Sequence, residues 1–232
     1  MGVDSISITH SISTGDLMTS SERLPYIALQ KRYFDERVEV FCRPIPESIE
    51  LKTDKIVKLA GVGSDSKVLD VGCGVGVLMK HFIENGVKPK NIVGCDLSEV
   101  MISQARQNYP GVYFWQGDIV DLEDPLPDSF PNHLDKFDFV FFNACFGNMF
   151  DQKQTLIAAF KHLKTGANVI LSHPLGSRFV EALKVSDPEI VPHSLPDRNT
   201  LHTWRKEGLH FEIRDFETSK DFYFVSLTKT NS

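Results

Sequence analysis

The chain has 232 residues, which is enough for one domain with a sizeable core, and its formal net charge is −6. This acidic balance disfavours nucleic acid as a partner, and no apolar run is long enough to suggest a membrane span. The four cysteines form no C-x-x-C pair, so a zinc site is not expected, and scattered cysteines are typical of a reducing, cytoplasmic location. Nothing in the composition indicates the oligomeric state.

Two segments precede the first predicted strand. Residues 1–21 are rich in serine and threonine, and we expect a flexible arm there. Residues 22–45 show apolar residues at helical spacing, which predicts a helical cap that ends near Pro44. The cap either packs on the edge of the domain or forms a lid over a site, and the sequence leaves both alternatives open. We expect residues 22–232 to form a single domain that includes this cap.

The stretch from Val68 to Gly76 predicts a strand, a tight turn and the start of a helix. Its apolar residues suit a strand that is buried on both faces, and alternate glycines, Gly72 and Gly74 among them, let the backbone turn sharply and approach a ligand closely. Such a turn lies where open α/β sheets bind ligands. The spacing G-x-G-x-G differs from the G-x-G-x-x-G of dinucleotide-binding folds. Asp70 would repel a pyrophosphate but attract an ammonium or sulfonium group.

This stretch resembles motif I of the class I S-adenosylmethionine (SAM)-dependent methyltransferases. The resemblance implies a Rossmann-like α/β fold, with a seven-stranded, mostly parallel sheet in the order 3-2-1-4-5-7-6 and a C-terminal antiparallel hairpin. Two strands predicted over residues 211–216 and 222–228 fit that hairpin, whereas dinucleotide dehydrogenases usually continue with another parallel unit. The resemblance also implies SAM as the cofactor and S-adenosylhomocysteine (SAH) as the product. The motif I residues that it implies at the cofactor are Asp70, Gly72, Cys73, Gly74 and Gly76.

Acids at the ends of the next two predicted strands support the resemblance. Asp96 lies twenty residues after Gly76, where an acid can hydrogen-bond both ribose hydroxyls of a bound nucleoside. The resemblance implies that Met101 packs on the adenine, and a core methionine is the alternative. Asp118 matches the acid that accepts a hydrogen bond from the adenine amino group, although a Gly-Asp turn alone is ordinary turn chemistry. The neighbouring residues expected at the cofactor are Leu97, Gly117 and Ile119.

The fourth and fifth predicted strands lead to the side where a methyl acceptor is expected. Asn143 ends the fourth strand, and the resemblance implies that the backbone there faces the methionine part of the cofactor. The sequence from Asn143 to Phe146 departs from the N-P-P-Y motif of amino-group and nucleobase N-methyltransferases, which disfavours that subclass. His173 follows the fifth strand, residues 168–172, and is the candidate catalytic base; the alternative is a loop histidine bonded to the backbone. No Asp-Asn pair resembles the magnesium site of catechol O-methyltransferases, so we expect no metal.

The sequence supports one leading hypothesis for function and three alternatives. The leading hypothesis is methyl transfer from SAM to a small-molecule acceptor. The alternatives are methyl transfer to a protein side chain or terminus, a non-catalytic partner subunit with the same fold, and a dinucleotide dehydrogenase. The glycine spacing disfavours the dehydrogenase. Because Asp70, Asp96 and Asp118 are all present, a site that has lost its cofactor is also disfavoured.

Overall fold

The computed structural model of the chain describes residues 20–231, so the arm predicted over residues 1–21 lies outside the described residues apart from its last two positions. The described part forms an α/β fold on one seven-stranded sheet. Its strands are β1 (Val68–Val71), β2 (Ile92–Asp96), β3 (Tyr113–Gln116), β4 (Phe137–Asn143), β5 (Leu163–His173), β6 (Phe211–Ser219) and β7 (Phe222–Lys229). Its helices are α1 (Ser20–Asp35), α2 (Val38–Phe41), α3 (Glu47–Ala60), α4 (Met79–Glu84), α5 (Glu99–Asn108), α6 (Gln152–His162), α7 (Gly176–Ser186) and α8 (Arg198–Lys206). No helix within residues 20–231 combines the length and the apolar composition that crossing a membrane requires.

The order of the strands in the sheet is β3-β2-β1-β4-β5-β7-β6, as predicted. Strands β1 to β5 run in parallel, and β7 pairs antiparallel with β5. The predicted hairpin is formed by β6 and β7, with Phe211 opposite Lys229 and Ser219 opposite Phe222. The predicted Rossmann-like fold is therefore confirmed. Because five strands are parallel, the segments that follow them meet along one edge of the sheet, where ligands bind in such folds.

Both faces of the sheet are covered by helices, which explains the near-continuous apolar runs in the central strands. In β1, Val68 belongs to an apolar cluster that includes residues of α3, α4 and α5. Leu69 and Val71 belong to a second cluster, with residues of α6, α7 and α8. This division follows from the two-residue period of a strand, because successive side chains point to opposite faces. Packing on both faces fixes the strand ends, and with them the side chains that follow.

The fifth strand begins five residues earlier than the sequence predicts, at Leu163 rather than at residue 168. Leu163 pairs with Phe137 of β4, and after an irregularity in the register Asn168 pairs with Phe139. Between them Gly166 adopts a positive φ of 78°. After the buried Leu163, residues 164–166 are exposed, so the conformation of this early part depends on pairing with β4 and leaves no apolar pattern in the local sequence.

Helix α1 lies across the carboxyl-end edge of the sheet. The Tyr26 hydroxyl donates to the carbonyl oxygen of Asn148 at 2.6 Å, and Gln30 Nε2 donates to the carbonyl oxygen of Ile190 at 2.8 Å. At the C-terminal end of α1, Ser98 Oγ donates to the carboxylate of Asp35, so the helix is also attached to the segment after β2. This placement over the strand ends supports the lid alternative for the cap.

Candidate functional site

A cavity of about 230 Å³ lies at the carboxyl ends of β1 to β4, beneath α1. With the exception of Gly76, every residue predicted to bind a cofactor lines it. These lining residues are Asp70, Gly72, Cys73, Gly74, Asp96, Leu97, Met101, Gly117, Asp118, Ile119 and Asn143. Gly76 lies on the side of the turn that packs against Tyr109, where a Cβ atom would lie 2.9 Å from Cε2 of that residue. The structure thus brings together residues that are spread over 74 positions of sequence, from Asp70 to Asn143.

Asp70, in β1, places a buried carboxylate on the cavity wall. Its side chain is 2% exposed, and its Oδ2 has no hydrogen-bond partner among the described residues. Burial, together with the nearby charge of Asp96, raises the pKa of Asp70 well above its ordinary value. An unpaired buried carboxylate is costly unless a donor or a cation meets it. Asp70 therefore suits a ligand that brings a positive charge into the cavity.

The glycine turn after β1 leaves space that side chains would fill. Gly72 has a φ of 67°, and a Cβ atom there would lie 2.8 Å from Cβ of Cys145. Gly74 has a φ of 54°, and a Cβ atom there would meet nothing within 4 Å. Because Gly74 lines the cavity, the open space above it is the space available to a ligand.

Asp96, at the end of β2, fixes the glycine turn. Its Oδ2 accepts a hydrogen bond from the backbone N–H of Gly74 and its Oδ1 accepts one from that of Ser98, both at 2.9 Å. Burial raises the pKa of Asp96, and these two hydrogen bonds act against the rise. The carboxylate oxygens keep further lone pairs for hydroxyl donors of a ligand. Met101 follows on α5, and it is both buried and part of the cavity wall.

Asp118, after β3, is bound by a residue that sequence analysis missed. Its Oδ1 accepts from the backbone N–H of Val120 at 3.0 Å, and its Oδ2 accepts from the guanidinium of Arg23 on α1 at 2.6 Å. The same guanidinium donates to both carboxylate oxygens of Asp121, at 2.9 and 2.8 Å. These hydrogen bonds raise the pKa of Arg23, so the guanidinium stays charged. No local pattern marks Arg23, because its partners lie more than ninety residues away.

The far wall of the cavity is formed by the cap and by the segment after β4. Asn143 Oδ1 accepts from Ser172 Oγ at 3.0 Å, which fixes the end of β4 against β5. Ala144 follows with a φ of 56°, an unusual backbone conformation for a non-glycine residue. Tyr26 lines this wall from α1; its hydroxyl accepts from Gln30 Nε2 at 2.8 Å while donating to the segment after β4.

His173 is not among the residues that line the cavity, although Pro174 is. The imidazole is 6% exposed, its Nδ1 accepts from the backbone N–H of Leu175 at 3.1 Å, and its ring lies 5.4 Å from that of Phe179. Burial lowers the pKa of His173 to about 4. This placement favours the alternative of a histidine bonded to the backbone, and the catalytic role remains a prediction.

Comparison with known proteins found a family model and individual proteins whose sequences are similar to this chain. A family model described as a methyltransferase domain matches residues 63–215. The chain is 33% identical over 76 residues to the malonyl-[acyl-carrier protein] O-methyltransferase of Pectobacterium atrosepticum, which covers 33% of this chain and 28% of that protein. It is 26% identical over 153 residues to the ubiquinone biosynthesis O-methyltransferase of Pseudomonas aeruginosa, which covers 66% and 62%. The chain therefore spans less than two thirds of the length of either relative.

Solved structures share the fold. The magnesium protoporphyrin IX methyltransferase from Synechocystis PCC 6803, solved with bound SAH, matches with a TM-score of 0.62 at 15% sequence identity. The match covers 88% of this chain and 100% of that chain. At this level of identity, the likeness shows the fold alone.

Proposed function

The chain belongs to the methyltransferase-domain family, and on this basis we propose that it transfers a methyl group from SAM to a small-molecule acceptor and releases SAH. The observation that carries the proposal is the carboxylate of Asp70, which lines the cavity and whose Oδ2 lacks a hydrogen-bond partner among the described residues. SAM carries an ammonium and a sulfonium group, either of which would compensate that charge. A pyrophosphate-containing dinucleotide would bring further negative charge to the same carboxylate.

The other cavity residues offer SAM chemically matched partners. In this proposal Asp96 holds the ribose hydroxyls and Asp118 accepts from the adenine amino group, while the backbone around Gly74 supports the ligand. Bound SAM supplies a methyl group activated by the sulfonium. The chain itself must hold the acceptor in line with that methyl group and exclude water. Helix α1, which covers the cavity, suits the second task.

Orientation is the main catalytic contribution in this proposal. Burial raises the pKa of Tyr26, so its hydroxyl stays protonated and bonded to the carbonyl oxygen of Asn148. The Nδ1 of His173 already accepts a backbone hydrogen bond. Methyl transfer breaks the bond between the methyl carbon and the sulfonium sulfur and releases SAH as a neutral thioether, a good leaving group, so an acceptor that does not lose a proton early needs no general base.

The enclosure of the cavity favours a small molecule over a protein side chain as the acceptor. The cavity is small, and α1 is fastened across it by hydrogen bonds at both ends. The Pectobacterium and Pseudomonas relatives are named as O-methyltransferases, which supports oxygen as the first acceptor atom to test. The residues predicted to bind the cofactor, of which all but Gly76 line the cavity, speak against a non-catalytic partner subunit. A cytoplasmic location remains a prediction from the cysteine pattern.

Transfer of an isotopically labelled methyl group tests the proposal. The protein is incubated with methyl-labelled SAM and a cell extract that has been separated into small molecules and macromolecules. We expect label in the small-molecule fraction with the wild-type protein and none with Gly74→Val, whose side chain should fill the cavity. Label confined to the protein fraction would support the protein-methyltransferase alternative instead. Binding of SAH without any transfer would support a non-catalytic subunit.

A further inference from the structure

The residues that line the cavity besides the predicted cofactor residues are mostly apolar. We define the acceptor wall as the cavity-lining residues from α1, α2, α3 and the segment Asn148–Phe150, together with Pro174. Most of its members are apolar or aromatic. The apolar members are Ile27, Phe34, Phe41, Ile49, Met149, Phe150 and Pro174. Such a wall gains free energy by covering an apolar surface and offers little to a charged group.

The polar members of the acceptor wall are already engaged within the protein. The Tyr26 hydroxyl donates to Asn148 O, and the Gln30 amide donates to Tyr26 and to Ile190 O. Asn148 Nδ2 also donates to Ile190 O, at 2.9 Å. The Thr53 hydroxyl donates to the carbonyl oxygen one turn before it on α3, at 2.9 Å. An anionic group would have to compete with these bonds.

The charged residues that line the cavity also disfavour an anionic acceptor. Among the described residues that line it, three are aspartates and none is lysine, arginine or histidine. Arg23, whose guanidinium contacts the cavity-lining Asp118, is also paired with Asp121. Residues 1–19 contain neither lysine nor arginine. A carboxylate or phosphate on the methyl acceptor would therefore meet repulsion from these aspartates and find no cation among the described residues that line the cavity.

We propose that the methyl acceptor is an uncharged molecule with an apolar body, bound between α1 and the segment Asn148–Phe150, and that the cavity discriminates against anionic acceptors. The inference rests on the proposed function, because it assigns the acceptor half of the same cavity. The discriminating feature is that the described residues of this mostly apolar wall include no cation. Adding one cation to that wall should therefore change the preference.

Matched pairs of ligands test the inference without turnover. Binding to the full chain is measured by ligand-observed NMR in the presence of saturating SAH, which supplies no methyl group. The pairs are 4-methylcatechol with 3,4-dihydroxybenzoate, 3-methylindole with indole-3-carboxylate, and 2-naphthol with 3-hydroxy-2-naphthoate. We expect the neutral member of each pair to bind at least about tenfold more tightly than the carboxylate. The free-energy cost of burying one unpaired charge is larger than the cost that corresponds to a tenfold change in affinity. Equal or tighter binding of the carboxylates, or no binding by any neutral member, would overturn the inference.

A charge introduced into the wall provides the decisive variant. Met149→Lys places an ammonium group there on an unbranched stem similar to that of methionine. It should raise carboxylate affinity about tenfold while changing SAH affinity little. Phe41→Lys, at a wall residue that is 39% exposed, makes the same test if Met149→Lys does not fold. Val185→Lys, at a residue that is 83% exposed on α7, is the control with the same net charge.

The outcomes separate the two proposals. If neither wall variant changes carboxylate affinity, or if the Val185→Lys control raises it equally, the acceptor is not bound at this wall and the inference fails. The SAH titration on the same samples reports on the proposed function independently. Normal SAH binding with the opposite ligand preference would refute only the inference, whereas loss of SAH binding by the wild-type protein would refute the proposed function.

Discussion

For Asp96, the observed role in the fold and the proposed role in binding the cofactor can be separated by measurement. Asp96→Ala should weaken SAH binding by roughly 1.5–3 kcal/mol, because charge-assisted hydrogen bonds to the ribose hydroxyls would be lost. The same variant frees the backbone N–H groups of Gly74 and Ser98, so some loss of thermal stability is also expected. Calorimetric titration with SAH gives the affinity, and Asp215→Ala, at an exposed position on β6, is the control. An unchanged affinity would remove Asp96 from the cofactor site.

Gly74 tests whether the glycine turn supports a ligand. Gly74→Val should abolish SAH binding, because its side chain would project into the cavity. The substitution also strains a backbone with a φ of 54°, so a matched control is needed. Gly61 ends α3 with a φ of 76°, and a Cβ atom there also meets nothing within 4 Å, yet it does not line the cavity. Gly61→Val should therefore share the strain and keep the affinity; equal affinity in the two variants would refute the assignment.

His173 distinguishes a structural from a catalytic role by its pH dependence. Burial lowers its pKa to about 4, so between the unfolded value near 6.5 and about 4 the unfolded chain binds more protons than the folded one. The contribution of this group therefore destabilises the fold as the pH falls through that window. His173→Gln should lower the melting temperature at pH 7.5 and flatten this dependence. Turnover of the folded variant should remain intact.

The catalytic alternative makes a different prediction for the same variant. If His173 removes a proton from the acceptor, His173→Gln should lower kcat on the order of 10²-fold or more, keep SAH affinity and lose an acidic limb of the rate profile. A pH–rate profile of each protein, once an acceptor is known, decides between the two. An unchanged acidic limb with lowered stability would leave His173 with its structural role only.

At the scale of elements, α1 is fastened to the strand ends by an ion pair that is largely buried. Arg23 and Asp118 have side chains that are 20% and 16% exposed. Arg23→Ala should loosen α1 and weaken SAH binding about fivefold, the equivalent of a partly exposed ion pair worth roughly 1 kcal/mol. Hydrogen exchange of the α1 amides should become faster, and SAH should slow it less than in the wild-type protein.

Two further variants sharpen the test of this helix. Arg23→Lys should recover only part of the effect, because an ammonium group cannot reproduce the guanidinium contacts to both Asp118 and Asp121. Lys31→Ala removes an ion pair within α1, to Asp35, and serves as the control for a lost charge on the same helix. Equal α1 exchange in wild type and Arg23→Ala would show that the ion pair does not hold the cap.

At the scale of the whole molecule, the order of the strands and most of the residues that line the cavity after β1, β2 and β3 could be predicted from the sequence, whereas the contacts of the cap could not. The residues after β1, β2 and β3 could be predicted because parallel strands bring their carboxyl ends together whatever the loops between them. Arg23 and Tyr26 could not, because their partners are set by how α1 crosses the sheet, which no local pattern encodes. The early start of β5 was missed for a similar reason, since pairing with β4 determines it.

Two individual residues show the same limit at the site. The resemblance to motif I implied a cofactor contact for Gly76; the structure packs Gly76 against Tyr109 and does not place it among the residues that line the cavity, so that contact stays a prediction. The spacing of glycines marks a turn, but which of them meets a ligand depends on the tertiary packing of the turn. For His173, position after a strand predicted proximity to the acceptor, yet the imidazole is bonded back to its own loop.

Calorimetric titration of the wild-type chain with SAH tests the central claim most directly, because that claim places a SAM site at the carboxyl ends of β1 to β4. We expect saturable binding with a stoichiometry of about one per chain, since one site is claimed. NAD, titrated under the same conditions, should produce no binding heat, because its pyrophosphate would face Asp70. Absence of SAH binding, or binding of NAD in its place, would contradict the account.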